Sequence, residues 1–371
     1  MLDLIVLPFT WLVFFISGIL IKNVSFEKRS LTLTLLSNLI IFSYTGFTTW
    51  IFFISLCLFT IFGGYLINIL KIKSIRKTVL IFYLLFFIIL IFSFLQFRFY
   101  FNKFFVFLPS LSYFGFRSID YIMNQYKNKN FSFYAGMLQT SFFPIISMGP
   151  ITRTDDFSAK TKYDYEKVIQ KLMIGLVMLI LGEYFGLYVL ININETHSAL
   201  EFWISAVSNS FYIYLVFAGY SNLIIGLGLL VGIKLPENFN SPYLSTSITE
   251  FWRKWHISLS FWIRDYLYIT LGGNRKGILR KIINIIVAMI LCGLWHGISL
   301  NFLLWGLYHG ILLGIESLMV SYNFFPIKNY FPRIHRIIKT FIVFFLVTIS
   351  WILFTYNIQD SMIHIKGLFI W

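Results

Sequence analysis

Three of the six histidines lie in aromatic, glycine-spaced sequence, where their side chains could transfer protons. His256 occurs in "KWHIS", His296 in "LWHGIS" and His309 in "GLYHG". Imidazole titrates close to neutral pH, so it can both take up and release a proton during a reaction. His296 lies near the end of a long apolar run, a setting where an ionisable side chain is costly and usually functional. These positions predict acid–base chemistry inside a hydrophobic protein.

Other chemistries find less support in the residues. A zinc site needs three or four placed ligands, and the scattered histidines have no matching cysteine or carboxylate spacing, so no metal and no bound cofactor are expected. No G-x-S-x-G motif of a serine hydrolase occurs, and "GLGLLVG" (226–232) lacks the Lys-Ser/Thr of a phosphate loop. Cys57 and Cys292 lie in apolar runs and predict buried thiols. The other histidines, at positions 197, 335 and 364, are assigned to solvated loops or the tail.

The composition places these residues in a membrane protein. Of 371 residues, 58% are hydrophobic and only 12% are charged, about half the charge of a soluble domain. The net charge of +15 comes from basic residues between apolar runs. That pattern indicates the cytoplasmic loops of a membrane protein and excludes a nucleic-acid-binding face. We expect one integral membrane domain over residues 1–371.

The apolar runs predict an all-α polytopic fold of about ten to eleven transmembrane helices. The first run, residues 1–22, has no basic n-region and no cleavage site, so we expect a retained span with residue 1 outside. Residues 31–70 are long enough for two crossings, with "SYTGFT" as the turn, and 104–125 are expected to form a further span. Residues 131–150 contain prolines and glycines that predict a broken or re-entrant helix. The basic segment 71–77 should face the cytoplasm.

Residues 234–281 interrupt this pattern of spans. They contain no apolar stretch of 18 residues, yet they are rich in Trp, Tyr and Phe. This mixture predicts short helices at or just below the membrane interface. In a helix, Glu250 would pair with Lys254 at i,i+4 and with Arg253 at i,i+3. Arg264 and Asp265 would form another local ion pair.

Several stretches together resemble the bacterial membrane-bound O-acyltransferase family. They are "FFPIISMGPITRTDDF" (142–157), the region 219–277 with "SITEFWRKWHISLS" and "LGGNRKG", "LWHGISLNFLLWGLYHG" (294–310) and "SWILFTYN" (350–357). The resemblance covers residues 105–357 and leaves the N-terminal spans, 1–103, outside it. The alginate O-acetyltransferase membrane subunits are the most similar branch. Longer relatives have further spans beyond the position where this chain stops.

The resemblance implies specific roles for the histidines. His296 matches the principal catalytic histidine of the family and His256 its second active-site histidine, which would orient or polarise the thioester. His309 matches a motif position without the same status. The residues expected to bind substrate or line a central passage through the membrane are Trp252, Arg253, Trp255, Asn274, Trp295 and His309.

The implied function is acyl transfer at the bacterial inner membrane. An acetyl group, or another acyl group, would move from a cytoplasmic thioester such as acetyl-CoA to an extracytoplasmic acceptor. That acceptor would be a polysaccharide hydroxyl or a secreted partner acyltransferase, and membrane lipid would surround the protein. Two alternatives stay open: transfer of D-alanine from a carrier protein, and a transporter or scaffold that uses the same passage without catalysis.

Overall fold

The computed structural model describes residues 24–97, 111–128, 132–146, 148–157, 164–189, 198–322 and 332–369, with a few positions before residue 24. This part of the chain is helical and contains no β-strand. Its helices are α1 (Phe26–Ile69), α2 (Lys73–Phe97), α3 (Leu111–Asn128), α4 (Phe133–Ser141), α5 (Tyr165–Gly186), α6 (Ala199–Leu230), α7 (Ile248–Lys254), α8 (Ile257–Ile263), α9 (Gly277–His296), α10 (Leu300–Ser321), α11 (Pro332–Thr355) and α12 (Ile358–Gly367).

Seven of the described helices are long and apolar enough to cross a membrane, namely α1, α2, α5, α6, α9, α10 and α11. The predicted all-α polytopic membrane fold is therefore confirmed, but the predicted number of ten to eleven spans is not. The first predicted span, residues 1–22, lies largely outside the described residues. Five of the seven, α5, α6, α9, α10 and α11, coincide with long apolar runs of the sequence.

Helix α1 is interrupted close to its middle. Its 44 residues would extend about 66 Å as a continuous helix, roughly twice the thickness of a bilayer core. Gly46 leaves the helical region with φ 76° and ψ 172°, a conformation that glycine adopts without the steric cost of a side chain. This break lies inside "SYTGFT", the stretch in which the sequence predicted a turn.

The span predicted at 104–125 stays a prediction, because residues 104–110 lie outside the described part. Helix α3, which begins at Leu111, is not among the candidate spans of the described residues, and its inner face carries buried polar side chains. Arg117 Nη1 donates to the carbonyl oxygen of Gln139 at 3.0 Å, and Gln139 Nε2 donates to Asp120 Oδ2 at 3.1 Å. Thr154 Oγ1 also donates to Asp120, at 3.0 Å. Buried polar groups that satisfy one another in this way make α3 part of the protein interior.

The predicted broken helix at 131–150 is confirmed over its described residues. Helix α4 has nine residues and ends before Pro144, and a 3₁₀ turn, Phe143–Ile145, follows it. The Phe143 amide donates to Ser37 Oγ at 3.0 Å, which supplies a partner where the helix stops. Irregular backbone of this kind is tolerated in a membrane protein when protein covers it.

The chain forms two compact units. The first comprises Met1–Ile174 and Tyr220–Pro236, and the second comprises Gly175–Gly219 and Glu237–Trp371. All three histidines singled out above belong to the second unit. The prediction of one domain over the whole chain stays a prediction.

Within the second unit, α9 and α10 pack backbone to backbone. A β-carbon on Gly293 would overlap the carbonyl oxygen of Phe302, and one on Gly306 would overlap that of Met289. Only glycine allows two helices to approach so closely. This contact fixes the positions of His296, at the end of α9, and His309, on α10.

The aromatic segment between the spans forms short helices, as predicted. Helices α7 and α8 have seven residues each, and one π turn, Arg264–Tyr268, follows them. Phe251, Trp252 and Leu259 are buried, so this segment packs inside the second unit. Two predicted ion pairs are present, between Lys254 and Glu250 at 2.7 Å and between Arg264 and Asp265 at 2.8 Å. The predicted pair of Glu250 with Arg253 does not form, because Glu250 is bonded to Lys254 and Thr246.

Candidate active site

His256 occupies the corner between α7 and α8. Its backbone is left-handed, with φ 40° and ψ 56°, a region that few residues other than glycine adopt. Two backbone hydrogen bonds hold the corner against an extended segment: Ile257 N donates to Asn238 O at 2.9 Å, and Asn240 N donates to Lys254 O at 3.0 Å. Strained positions of this kind concentrate at functional sites, because the surrounding structure must enforce them.

Asn238 fixes the ring of His256 as well as its backbone. Asn238 Oδ1 accepts from Ser258 Oγ at 2.8 Å and from the Ser258 amide at 3.4 Å, so this atom is an acceptor. His256 Nδ1 lies 3.0 Å from the same oxygen and must therefore donate its hydrogen to it. Neutral His256 consequently carries its proton on Nδ1. Its Nε2 carries a lone pair and has no hydrogen-bond partner.

The surroundings keep His256 uncharged. Its side chain is almost fully buried. Burial, and secondly the positive charge that His296 can carry, lower the pKa of His256 well below its ordinary value of 6.5. Two imidazoles that repel each other's charge do not both hold an extra proton. At neutral pH His256 therefore offers an acceptor and cannot donate from Nε2.

His296 is the last residue of α9 and is only partly buried. Its ring lies 4.8 Å from the ring centre of Phe354 and 5.5 Å from that of Trp305. Trp295 contacts both histidines, at 4.4 Å from His296 and 6.2 Å from His256. Aromatic rings thus lie next to both histidines.

Both histidines line one small cavity, which we call the histidine cavity. It has a volume of about 200 Å³. Its walls are almost entirely aliphatic and aromatic, and its lining residues are Ile213, Phe217, Trp252, Trp255, His256, Leu259, His296, Trp305, Trp351 and Phe354. The predicted pairing of His256 with His296 in one site therefore has a geometric basis.

A second, larger cavity of about 490 Å³ lies in the same unit. We call it the basic cavity, because Arg253, Arg264 and Lys281 line it. Asn274 also lines it, and the Tyr268 hydroxyl donates to Asn274 Oδ1. Glu316, another lining residue, accepts from the Thr249 amide in the first turn of α7 at 2.9 Å.

Trp252 lines both cavities and is the only described residue that does so. Its indole nitrogen donates to His309 Nδ1 at 3.3 Å. His309 is fully buried on α10 and is not among the lining residues of either cavity. The structure therefore places this third histidine behind the wall that Trp252 forms.

Comparison with known proteins identifies the family of this chain. Residues 61–359 match the model of the family described as MBOAT, membrane-bound O-acyltransferase. The chain belongs to this family. It is 34% identical over 283 residues to the "probable alginate O-acetylase AlgI" of Pseudomonas fluorescens, a match that covers 71% of this chain and 53% of that protein.

Two relatives named for other activities are also similar. The peptidoglycan O-acetyltransferase of Helicobacter pylori is 32% identical over 246 residues, covering 62% of this chain and 46% of that protein. The teichoic acid D-alanyltransferase of Bacillus subtilis is 35% identical over 203 residues, covering half of each. The chain spans about half the length of the curated relatives that it matches.

Several residues of this candidate site were not found from the sequence. Asn238, Ser350 and Trp305 carried no predicted role, although Ser350 opens the "SWILFTYN" stretch. Their roles depend on contacts between distant parts of the chain. Asn238 and His256 lie 18 positions apart, a separation that gives no indication of their hydrogen bond.

The remaining histidines differ from their predicted setting where the structure describes them. His364 was expected in a solvated tail, but it is buried on α12, where its Nδ1 donates to the carbonyl oxygen of Asp360 at 3.0 Å and its ring stacks on Tyr356 at 4.0 Å. That expectation was wrong, because residues 358–367 form a helix. His197 and the side chain of His335 lie outside the described part. Among the described residues, no group of three or more His, Cys, Asp and Glu side chains could hold a metal ion.

Proposed function

We propose that this protein is a membrane O-acyltransferase of the bacterial inner membrane that moves an acyl group, acetyl in the first instance, from a cytoplasmic thioester to an extracytoplasmic acceptor. The observation that carries the proposal is one cavity lined by two histidines, of which His256 is held neutral with an acceptor nitrogen unpartnered. The relatives named for O-acetyl transfer to alginate and peptidoglycan support acetyl as the group.

The basic cavity suits the thioester donor. Acetyl-CoA is anionic, and Arg253, Arg264 and Lys281 would attract its phosphates. Arg275, Lys276 and Arg280 follow nearby in the sequence, and basic loops face the cytoplasm. The donor would therefore enter the basic cavity from the cytoplasm, with its acyl end toward Trp252 and the histidine cavity.

His296 serves as the general base in this reaction. It takes the proton from the acceptor hydroxyl while the hydroxyl oxygen bonds to the acyl carbon. The carbon–sulfur bond then breaks, and the proton passes from His296 to the departing thiolate. The unpartnered Nε2 of His256 accepts a hydrogen bond from the acceptor hydroxyl or from protonated His296, which favours the charged form of His296 without a second positive charge.

The tautomer of His256 bears on its expected role in polarising the thioester. The resemblance implied that His256 orients or polarises the thioester, but a neutral ring that already donates from Nδ1 has no hydrogen with which to polarise the carbonyl oxygen. Trp305 can supply one. Its side chain lines the histidine cavity, is 1% exposed, and has an indole N–H without a hydrogen-bond partner. A donor placed where negative charge develops accelerates acyl transfer.

The deciding experiment uses the purified chain in lipid nanodiscs with two donors. Acetyl-CoA is supplied together with alginate or peptidoglycan fragments, and D-alanyl carrier protein is supplied with lipoteichoic acid. We expect ester formation from acetyl-CoA that disappears in His296→Ala. Transfer from the carrier protein alone would favour the D-alanyl alternative, which the Bacillus subtilis relative supports. Absence of transfer from either donor, or full activity of His296→Ala, would refute the proposal.

A further inference from the structure

A directed chain of hydrogen bonds runs behind the wall between the two cavities. The Trp252 indole N–H can only donate, so His309 Nδ1 accepts from it at 3.3 Å. The ring hydrogen of neutral His309 must then be on Nε2, which lies 3.0 Å from Ser350 Oγ. Ser350 in turn donates to the carbonyl oxygen of Val347 at 2.7 Å. Each donor has one acceptor, so the chain defines the orientation of every group in it.

This chain connects three helices around Trp252. Trp252 lies on α7, His309 on α10, and Ser350 with Val347 on α11. A second bond joins α10 to α7, because Glu316 accepts from the Thr249 amide. His309 is 0% exposed and both its nitrogens are engaged. It therefore has no free lone pair with which to take a proton from a substrate.

The indole that His309 holds decides how much room an acyl group has. The histidine cavity measures about 200 Å³. At roughly 30 Å³ for a water-sized group, this volume holds about six or seven such groups. An acetyl group fits together with an acceptor hydroxyl, but a hexanoyl group with the same hydroxyl does not. Trp252 is the described residue common to both cavities, so a shift of its ring would merge them.

We propose that His309, supported by Ser350, is a positioning residue that fixes the Trp252 indole and thereby restricts the enzyme to short acyl groups. This inference rests on the proposed acyl transfer and adds to it the residues that select the donor. The ring selects by size, since a fixed indole overlaps with the atoms of a longer acyl chain. For scale, one methylene in a hydrophobic pocket changes selectivity by about 10- to 200-fold.

The test compares acetyl-CoA, butyryl-CoA and hexanoyl-CoA as donors for the full chain in nanodiscs, with kcat and KM measured separately. His309→Gln keeps an acceptor oxygen for Trp252 and a donor nitrogen for Ser350. His309→Leu keeps the approximate volume but removes both bonds. Trp252→Phe retains an aromatic ring and removes the donor, and it tests the same wall if His309→Leu does not fold. His364→Leu is the matched control, because it removes another buried histidine of the same unit.

We expect wild type to prefer acetyl-CoA and His309→Gln to keep that preference and the pH profile. His309→Leu and Trp252→Phe should lower the acetyl-to-hexanoyl ratio of kcat/KM by about tenfold or more, while His364→Leu should leave the ratio unchanged. If His309→Gln is as inactive as His309→Leu, His309 is catalytic and the proposal is overturned. Unchanged acyl preference in both His309→Leu and Trp252→Phe would also overturn it. If wild type uses none of the three donors, the proposed function itself fails.

Discussion

Replacing Asn238 by aspartate would test whether His256 must be neutral. Asn238→Asp changes the shape of the side chain very little and keeps an acceptor oxygen for His256 Nδ1 and Ser258 Oγ. It adds one negative charge about 3.0 Å from the imidazole. A nearby carboxylate stabilises the imidazolium, so the pKa of His256 should rise from its lowered value.

The size of the effect follows from that distance. Two unit charges 3.0 Å apart attract by about 5 kcal/mol at an effective dielectric constant of 20, which corresponds to roughly 4 pKa units. The buried carboxylate also loses hydration, which opposes part of this attraction. Shifts measured for such pairs are typically about 1 to 3 units. We expect the pKa of His256 to rise by that amount.

The pH dependence of acyl transfer reports this shift. In wild type, His256 remains neutral as the pH falls, so the acidic limb of kcat/KM for acetyl-CoA reports protonation of the general base His296. In Asn238→Asp, His256 takes up a proton at a higher pH than in wild type, so the acidic limb should move upward, by up to about 3 pH units. Asn209→Asp is the control, since Asn209 is another buried asparagine of the same unit, hydrogen-bonded to Thr355 and not to His256.

Two results would contradict the reasoning. An acidic limb that stays at the wild-type pH in folded Asn238→Asp would mean that the charge state of His256 does not control the reaction. An equal upward shift in Asn209→Asp would mean that any buried negative charge in this unit has the same effect. A melting temperature measured for each variant at each pH separates loss of activity from loss of the fold.

Four further outcomes are expected. His296→Ala should lower acetyl transfer by about 10² to 10⁴ with an unchanged melting temperature, since it removes the base from a cavity wall; a joint loss of stability and activity would favour a structural role. Trp305→Phe should lower kcat by about 10² with little change in KM, and an unchanged kcat would exclude Trp305 as the carbonyl donor. Burial raises the pKa of Asp156 from 3.8 to about 6, so the native state holds an extra proton between these values and loses stability as the pH rises through 6. Asp156→Asn should therefore raise the melting temperature at pH 8, which corresponds to a gain of up to about 3 kcal/mol in the free energy of unfolding, and leave it unchanged below pH 4. An equal gain at both pH values would contradict this assignment. Single cysteines introduced at 71–77 and 275–281 should resist a membrane-impermeant reagent added from outside the cell, and labelling at 275–281 would reverse the orientation.

Local patterns allowed parts of this structure to be predicted and left others out of reach. The aromatic, charged segment at 234–281 was correctly separated from the spans, because charge density and the absence of an apolar run are properties of the sequence itself. The Glu250–Lys254 pair followed from helical spacing. The hydrogen bonds of helix α3 could not be predicted, because Arg117 and Asp120 bond to Gln139 and Thr154, which belong to other elements of the chain.

The roles of the histidines show the same limit more sharply. Sequence and resemblance named His256, His296 and His309, but a residue type does not reveal which ring nitrogen carries the hydrogen. Asn238 settles that question for His256, and Trp252 with Ser350 settles it for His309. The first ring is left with an open acceptor on the histidine cavity, and the second has both nitrogens engaged behind the cavity wall. His256 and His309 are thus chemically different groups. We therefore assign proton transfer to the cavity that His256 and His296 line, and the positioning of Trp252 to His309.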